Sequence, residues 1–219
     1  MRRRTCCIGA GALAALPLSM ALTRAWGANV PPHAPPTQAG AADASNPASP
    51  QAALALLRRG GGGLVAVMRH ALAPGTFDPP GFVAGECSTQ RNLGDEGRAQ
   101  ARAIGAWYRA QRLVPTAVRS SAWCRCLDTA QLAFGRVEPW PPLDSMLRDS
   151  ARRDVQVALL RTELARRARA DGPGFEVWVT HQVNITALAG GFADSGDAVL
   201  LRHDPARSGP VVLASLHIA

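Results

Sequence analysis

The chain of 219 residues carries a formal net charge of +8, and all 24 of its Lys and Arg side chains are arginine. The absence of lysine excludes the lysine-dependent phosphate loop of nucleotide hydrolases, Schiff-base chemistry and a pyridoxal site. The positive excess is scattered along the chain, without a basic stripe or an interleaved aromatic platform, and this argues against a nucleic-acid partner.

The first 27 residues have the layout of an export signal. Arginines occupy positions 2–4, an apolar segment covers 8–22, and the small residues Ala25 and Gly27 stand at cleavage-type positions. Either the general or the twin-arginine export route fits this segment. It is short and interrupted by proline, so we expect no membrane span in the mature chain. The sequence therefore predicts a signal peptide over 1–27 and a protein exported to the periplasm.

The remainder divides into a spacer and one domain. Residues 28–50 are rich in Pro, Ala, Ser and Asn without periodicity, which is typical of a flexible spacer. Residues 51–219 are long enough for one well-buried domain. Hydrophobic periodicity in this part predicts strands that alternate with helices, and hence a layered α/β domain with a mostly parallel sheet.

In chain order, the pattern begins with a helix over 50–59 and a buried strand over 64–68, followed by a long loop over 71–90. A helix starts at Gly94, with an apolar stripe of Ala103, Ile104, Trp107 and Tyr108. A short strand over 116–118 and a helix over 123–134 follow. The later elements are a strand over 137–140, a helix along 157–168 with a Glu163–Arg167 pair, a strand over 175–180, a helix capped by Asn184, and a hairpin of 197–201 with 211–217.

Three cysteines lie beyond the predicted signal peptide, namely Cys87, Cys124 and Cys126. In an oxidising compartment this odd number allows one disulfide, which we expect between Cys87 and either of the other two. Zinc binding is disfavoured, because a single residue between Cys124 and Cys126 does not match the usual ligand spacings. We therefore expect a structural disulfide.

Polar groups follow three separate strands of the predicted sheet. Arg69 and His70 end the first buried strand, the turn from Arg119 to Arg125 follows the second, and His181 ends the 175–180 strand. In open α/β sheets, ligands bind beyond the carboxyl ends of the strands. The sequence therefore predicts that these groups converge on one anionic ligand.

Four segments along the chain resemble the histidine phosphatase superfamily, whose members are phosphoglycerate-mutase-like. They are "VMRH", "LGDEGRAQARAIGAWYRA", "VRSSAWCRCLDTA" and "VWVTHQVNITALAG", in the order of that family, and the resemblance covers most of the chain from Leu64 to Gly190. The resemblance implies a three-layer α/β/α domain. It also implies hydrolysis of a phosphomonoester without a metal ion or other cofactor.

The resemblance assigns roles to four side chains. His70 would be the nucleophile that forms a phosphohistidine, since an imidazole with an ordinary pKa of about 6.5 is largely neutral near pH 7. Arg69 and Arg125 would grip phosphate oxygens through their planar guanidinium groups. His181, in its charged form, would donate to the same oxygens and stabilise the transition state.

The chain departs from the family pattern at two places. Ala71 replaces the glycine that often follows the Arg-His pair, which removes no catalytic atom. Many relatives carry a glutamate in a Leu-x-Glu context as the general acid, whereas this chain offers Asp144, Asp149 or no acid at all. Small relatives that dephosphorylate proteins lack that acid.

Five further polar residues are weighed beside the four. Gln90, Arg91 and Asn92 are candidates for the pocket or for capping, and Arg119 or Ser121 for additional phosphate contacts. The substrate expected from the resemblance is an envelope sugar phosphate or a similar small phosphoester. The alternatives are a phosphohistidine protein phosphatase and a phosphate-binding module without catalysis.

Overall fold

The computed structural model describes residues 49–147, 150–170, 172–207 and 209–218. The predicted signal peptide, the spacer up to residue 48, and Asp149 lie outside these residues, so their predictions stand as they were made. None of the described helices combines the length and the apolar content that a membrane crossing requires.

Within the described residues, six strands form one mixed sheet. Four of them are parallel to one another, and a carboxyl-terminal hairpin adds two antiparallel strands at one edge. The order across the sheet is β3-β2-β4-β1-β5-β6. The strands are β1 (Val65–Arg69), β2 (Ala117–Ser120), β3 (Glu138–Pro139), β4 (Glu176–Thr180), β5 (Ala198–Asp204) and β6 (Gly209–Leu216).

Helices cover both faces of this sheet. They are α1 (Pro50–Arg59), α2 (Asp95–Ala110), α3 (Cys124–Phe134), α4 (Arg153–Ala170) and α5 (Gln182–Ala189). Alternate β1 residues face opposite layers: Ala66 and Met68 pack with α1, α2 and α3, whereas Val65 and Val67 pack with α4 and α5. Burial on both faces explains the unbroken apolar run of β1. The predicted three-layer α/β/α architecture is confirmed.

The buried face of α2 differs from the predicted apolar stripe. Ala103 is exposed, and the buried positions include Gly97 and Gly105. A Cβ at Gly97 would lie 1.8 Å from the carbonyl oxygen of Leu72, so glycine allows the chain just after β1 to pack directly on the helix. Backbone packing against glycine, which hydrophobic periodicity does not report, rotates the buried face.

Two other local predictions are wrong. The N-cap of α5 is His181, and Asn184 lies inside the first turn, where its buried amide donates to the carbonyl oxygen of Asp144 at 2.9 Å. Arg167 does not pair with Glu163, because it reaches the buried Glu176 on β4. In both cases a buried polar partner on another element outcompetes the local interaction.

The long loop over 71–90 is tied to the start of α3. Cys87 and Cys124 form a disulfide, and Cys126 is a buried free thiol. The Gln90 side chain accepts a hydrogen bond from the Cys124 amide at 2.9 Å, which adds a second link beside the disulfide. The expected disulfide is therefore present, with Cys124 as the partner of Cys87.

Candidate active site

The sheet brings the predicted site residues together because their strands are neighbours. β1 pairs with β4 in parallel, with Arg69 opposite Thr180, and the His70 amide donates to the Thr180 carbonyl oxygen at 2.9 Å. Arg125 lies in the first turn of α3, which follows β2 on the other side of β4. Arg69, His70, Arg125 and His181 all line one cavity of about 120 Å³ at this edge of the sheet. We call it the phosphate pocket.

Backbone contacts set the state of the His70 imidazole. Nδ1 lies 2.7 Å from the carbonyl oxygen of Ala71, which can only accept, so Nδ1 carries the proton and Nε2 keeps its lone pair. Burial lowers the pKa of His70 to about 3, and the charges of Arg125, Arg91 and Arg69 act in the same direction against the Ala71 hydrogen bond. The side chain is therefore a neutral imidazole with Nε2 available for attack on phosphorus.

The His181 ring is held beside that of His70. The two ring centroids are 5.5 Å apart with an interplanar angle of 67°. His181 Nδ1 lies 3.5 Å from Arg125 Nη2. Burial, together with His70 and Arg125, holds the pKa of His181 well below its usual value. The protein groups by themselves thus favour a neutral ring, and an anion bound among them would raise its pKa toward the charged form that the resemblance implies.

A serine and a carboxylate lie on the other side of His181. Its Nε2 is 2.9 Å from Ser121 Oγ, and the Ser121 hydroxyl donates to Asp144 Oδ1 at 3.1 Å. The Ala122 amide also donates to this oxygen, at 2.7 Å. Because the hydroxyl proton is used on Asp144, Ser121 Oγ accepts from His181 Nε2–H, which directs Nδ1 toward Arg125. Ser121 therefore orients His181, whereas the sequence suggested it as a phosphate contact.

Arg125 is buried and pairs with a carboxylate that sequence reasoning missed. Its Nη1 donates to Asp78 Oδ1 at 2.7 Å and to the Arg91 carbonyl oxygen at 3.1 Å. Asp78 also accepts from the Arg91 amide at 3.0 Å and from Trp123 Nε1 at 3.3 Å. Burial opposes ionisation of Asp78, but these hydrogen bonds outweigh it, and the pKa of the carboxyl falls below its usual value. Asp78 is therefore an ionised wall of the phosphate pocket.

Two further arginines complete the positive charge of the pocket. Arg69 donates from Nη1 to the Ala193 carbonyl oxygen at 2.9 Å, and its guanidinium lies 5.4 Å from the ring centroid of Phe192. Arg91 lines the same cavity, and its Nη1 donates to the Ala73 carbonyl oxygen at 2.5 Å. Burial lowers the pKa of Arg91, as does nearby Arg125. Of the residues that the sequence weighed for the pocket or for capping, Arg91 lines the pocket.

The other polar candidates lie elsewhere. The Asn92 amide donates to the Cys87 carbonyl oxygen at 2.6 Å and serves the loop. Arg119 turns to the α4 side of the sheet, where its Nη1 lies 2.8 Å from Glu163 Oε1. Asp144 lines a neighbouring cavity and not the phosphate pocket, and Asp78 is the carboxylate that lines the pocket among the described residues.

Sequence signals for Asp78 are weak, because it lies in an irregular loop and precedes two prolines. Asp78 does not directly follow a strand, so an argument based on strand ends does not identify it. The one indication is electrostatic: several arginines predicted to lie together in a pocket require a carboxylate nearby to compensate their charge.

Comparison with known proteins supports the fold. No family model and no curated protein matches the sequence. Among solved structures, a protein described as an alpha-ribazole-5'-P phosphatase from Escherichia coli matches with a TM-score of 0.50 and 15% identity, over 71% of this chain and 97% of that one. The protein histidine phosphatase SixA, complexed with tungstate, matches with a TM-score of 0.47 and 16% identity, over 70% and 96%. A mycobacterial glucosyl-3-phosphoglycerate phosphatase matches with 0.48 and 15%, over 68% and 95%.

These structures are members of the histidine phosphatase superfamily. The chain has the histidine phosphatase fold. The four sequence segments that suggested this fold lie on β1, α2, the β2–α3 connection and the β4–α5 connection. Their recognition from the sequence is therefore confirmed at the level of the fold.

Within the histidine phosphatase fold of this chain, the described groups can support phosphoryl transfer. A neutral imidazole with a free lone pair stands among three arginines, and a second imidazole lies 5.5 Å away. Phosphoryl transfer needs a nucleophile in line with the leaving oxygen and positive charge around the equatorial oxygens, and the cavity offers an imidazole and three guanidinium groups for these tasks. The chemistry that follows is developed below as a proposal.

Proposed function

We propose that this protein is a phosphomonoester hydrolase that works through a phosphohistidine on His70. The observation that carries the proposal is the state of His70: it is buried, with Nδ1–H held by the Ala71 carbonyl oxygen, and it lines a cavity with three arginines. This arrangement suits a nucleophile that must stay neutral beside an anionic substrate.

The reaction has two steps. Nε2 of His70 attacks phosphorus, the bond from phosphorus to the ester oxygen breaks with its electron pair, and the leaving oxygen takes up a proton. Water then attacks the phosphohistidine, which releases inorganic phosphate and regenerates the imidazole. Arg69 and Arg125 bind the equatorial oxygens, and His181 donates to them once the bound anion has raised its pKa.

We assign no residue as the proton donor to the leaving oxygen. Asp144 contacts Ser121 and Ala122, outside the phosphate pocket, and Asp78 is ion-paired with Arg125. An ester whose alcohol is a good leaving group needs little protonation in the transition state. The hydrolysis rate is therefore expected to fall steeply from p-nitrophenyl phosphate to phenyl phosphate.

The cellular setting is part of the same proposal. The signal-like residues 1–27 support export to the periplasm, where a small phosphomonoester would be the substrate. Phosphohistidine in a protein is the second candidate substrate. The pairing of Asp78 with Arg125 favours it, since it leaves no free carboxylic acid in the pocket, and the imidazole that departs from a phosphohistidine needs less help from such an acid than an alkyl alcohol does.

Turnover of p-nitrophenyl phosphate tests the hydrolase. We expect hydrolysis without added metal and with chelator present, and loss of turnover in His70→Ala. His203→Ala is the matched control, because His203 lies on β5 and does not line the pocket. Arg69→Lys should lower kcat/KM at least about tenfold, because a point charge cannot replace a bidentate fork.

Acid-quenched protein from a single turnover should carry phosphate on the peptide that contains His70. Full activity in His70→Ala would refute the nucleophile. Phosphate binding without any turnover would indicate a binding module instead.

A further inference from the structure

A second cavity, of about 540 Å³, lies beside the phosphate pocket, and its lining is mainly apolar. We call it the apolar groove and define it by Phe82, Trp123, Pro141, Pro142, Val155 and Leu159. It is more than four times as large as the phosphate pocket, which has about 120 Å³. A cavity of this size is in the range that small organic ligands occupy.

Two walls of the groove are built from aromatic and aliphatic side chains. On one side, Phe82 of the long loop stacks on Trp123, with ring centroids 5.1 Å apart and an interplanar angle of 21°. On the other side, the first turns of α4 present Val155 and Leu159, which are 65% and 49% exposed. Exposed aliphatic side chains that face a stacked aromatic pair favour an apolar occupant.

The groove adjoins the phosphate pocket at one residue. Ser145 lines both cavities. Trp123 lines the groove and contacts two residues of the phosphate pocket: its Nε1 donates to Asp78 at 3.3 Å, and its ring centroid lies 5.5 Å from that of His181. The organic group of a phosphate ester held among the arginines would therefore pass Ser145 to reach the groove.

Two apolar side chains also lie at the margin of the phosphate pocket. Phe77 and Leu147 line the pocket and are 72% and 59% exposed. The exposure of large apolar side chains to water is unfavourable, and contact with the organic part of a bound ligand would remove that exposure. Their position extends the apolar surface to the phosphate pocket.

Four polar side chains line the groove, namely Asp144, Ser145, Arg152 and Gln156, and two of them are hydrogen-bonded within the protein as follows. The Gln156 amide nitrogen donates to the carbonyl oxygens of Pro142 and Asp144, at 2.9 Å and 2.5 Å. The Asp144 carboxylate accepts from Ser121 and Ala122. Gln156 and Asp144 are therefore poorly placed to form new hydrogen bonds with the hydroxyls of a sugar. A sugar hydroxyl that leaves water needs such a bond to offset the cost of its desolvation.

We propose, on the basis of the proposed function, that the apolar groove binds the organic group of the phosphomonoester, and that this group is an aryl moiety, which fits beside the stacked Phe82–Trp123 pair and whose phenolate leaves without a protonating residue. The inference replaces the sugar phosphate expected from the sequence with a phosphate ester of a phenol. The phosphate pocket supplies the chemistry, and the groove selects the substrate by the apolar area it buries.

Calorimetric binding of phosphonates tests the groove separately from turnover. In an alkylphosphonate series from methyl to octyl, affinity should rise about three- to fourfold per methylene until the groove is filled. Phenylphosphonate and naphthylphosphonate distinguish aryl from alkyl occupants. Propylphosphonate should bind more tightly than 2,3-dihydroxypropylphosphonate, which has the same length and carries two hydroxyls.

Val155→Asp should flatten the dependence of affinity on chain length. Val212→Asp is the control, because Val212 is a half-exposed valine on β6 and lines neither cavity. A flat series, tighter binding of the hydroxylated member, or no binding by any member would overturn the inference. Failure to hydrolyse p-nitrophenyl phosphate would refute the proposed hydrolase while leaving the binding series readable, so the two failures are distinguishable.

Discussion

The pairing of Asp78 with Arg125 makes a quantitative prediction about the phosphate pocket. The two side chains are 8% and 5% exposed, so this is a buried ion pair. The substitution Asp78→Asn removes the negative charge and keeps the shape of the side chain. It leaves Arg125 buried without its counter-ion in a cavity that Arg69 and Arg91 also line.

The expected cost follows from this burial. Removing one partner of a buried pair costs about 3–5 kcal/mol of unfolding free energy. We expect about 3 kcal/mol, because asparagine keeps an oxygen that can accept from the Arg91 amide. For a domain of this size, that loss lowers the unfolding temperature by about 6–12 °C. A bound phosphate would supply the missing negative charge, and the variant should bind inorganic phosphate about tenfold more tightly than the wild type.

Thermal unfolding in phosphate-free buffer, followed by circular dichroism, measures the loss of stability. Repeating it with increasing inorganic phosphate measures the linked affinity, since a ligand at a hundred times its Kd stabilises by about 2.7 kcal/mol. Asp95→Asn is the matched control, because Asp95 forms an exposed pair with Arg98 and its side chain is 99% exposed. We expect the control to change stability by less than about 0.5 kcal/mol.

An Asp78→Asn protein as stable as the wild type would show that solvent already compensates Arg125. An unchanged affinity for phosphate would show that Asp78 and phosphate do not compete for the same guanidinium. Either result would refute the reasoning about this pocket.

Three other predictions concern the site and its loop. The unfolded chain takes up a proton on His70 below about pH 6.5, whereas the folded chain resists protonation of this imidazole down to about pH 3. As the pH falls from 6 to 5, the unfolding free energy should therefore decrease more steeply in the wild type than in His70→Asn, by up to about 1.4 kcal/mol per pH unit. Equal slopes in denaturant titrations of the two proteins would contradict this. Ser121→Ala should lower kcat about ten- to hundredfold and alter the pH profile of kcat, because it removes the hydroxyl that orients His181. The control Ser120→Ala removes a buried hydroxyl that donates to the Ser121 carbonyl oxygen, and it should keep the wild-type profile. A wild-type pH profile in Ser121→Ala would show that Ser121 does not orient His181. Reduction of the disulfide between Cys87 and Cys124, which are 37 residues apart in the chain, should lower the unfolding free energy by about 4 kcal/mol in denaturant titrations. An unchanged unfolding free energy would mean that the loop stays ordered without the disulfide.

The candidate site was predictable where it depends on strand ends. Arg69 and His181 each sit at the end of a buried apolar run, and parallel strands necessarily end at the same edge of the sheet. The same argument pointed to Ser121, but as a phosphate contact, whereas in the structure this side chain orients His181. Its hydroxyl faces His181 because Asp144, 23 residues later in the chain, takes the hydroxyl proton.

Groups that come from irregular segments were not predictable. Asp78 and Phe82 lie in the long loop, and their positions depend on contacts with Arg125 and Trp123 across more than 40 residues. No periodicity marks such contacts, because each is a pairing of side chains that the folded backbone happens to bring within reach.

From its sequence alone, this chain determines its layers, its parallel sheet and the edge at which the imidazoles and guanidinium groups meet, because these depend on local periodicity and on the direction of the strands. Tertiary packing decides which carboxylate neutralises Arg125, how His181 is oriented and where the apolar groove lies. Those features arise from the desolvation of buried charges and from the mutual fit of distant side chains, neither of which is encoded within a short window of sequence.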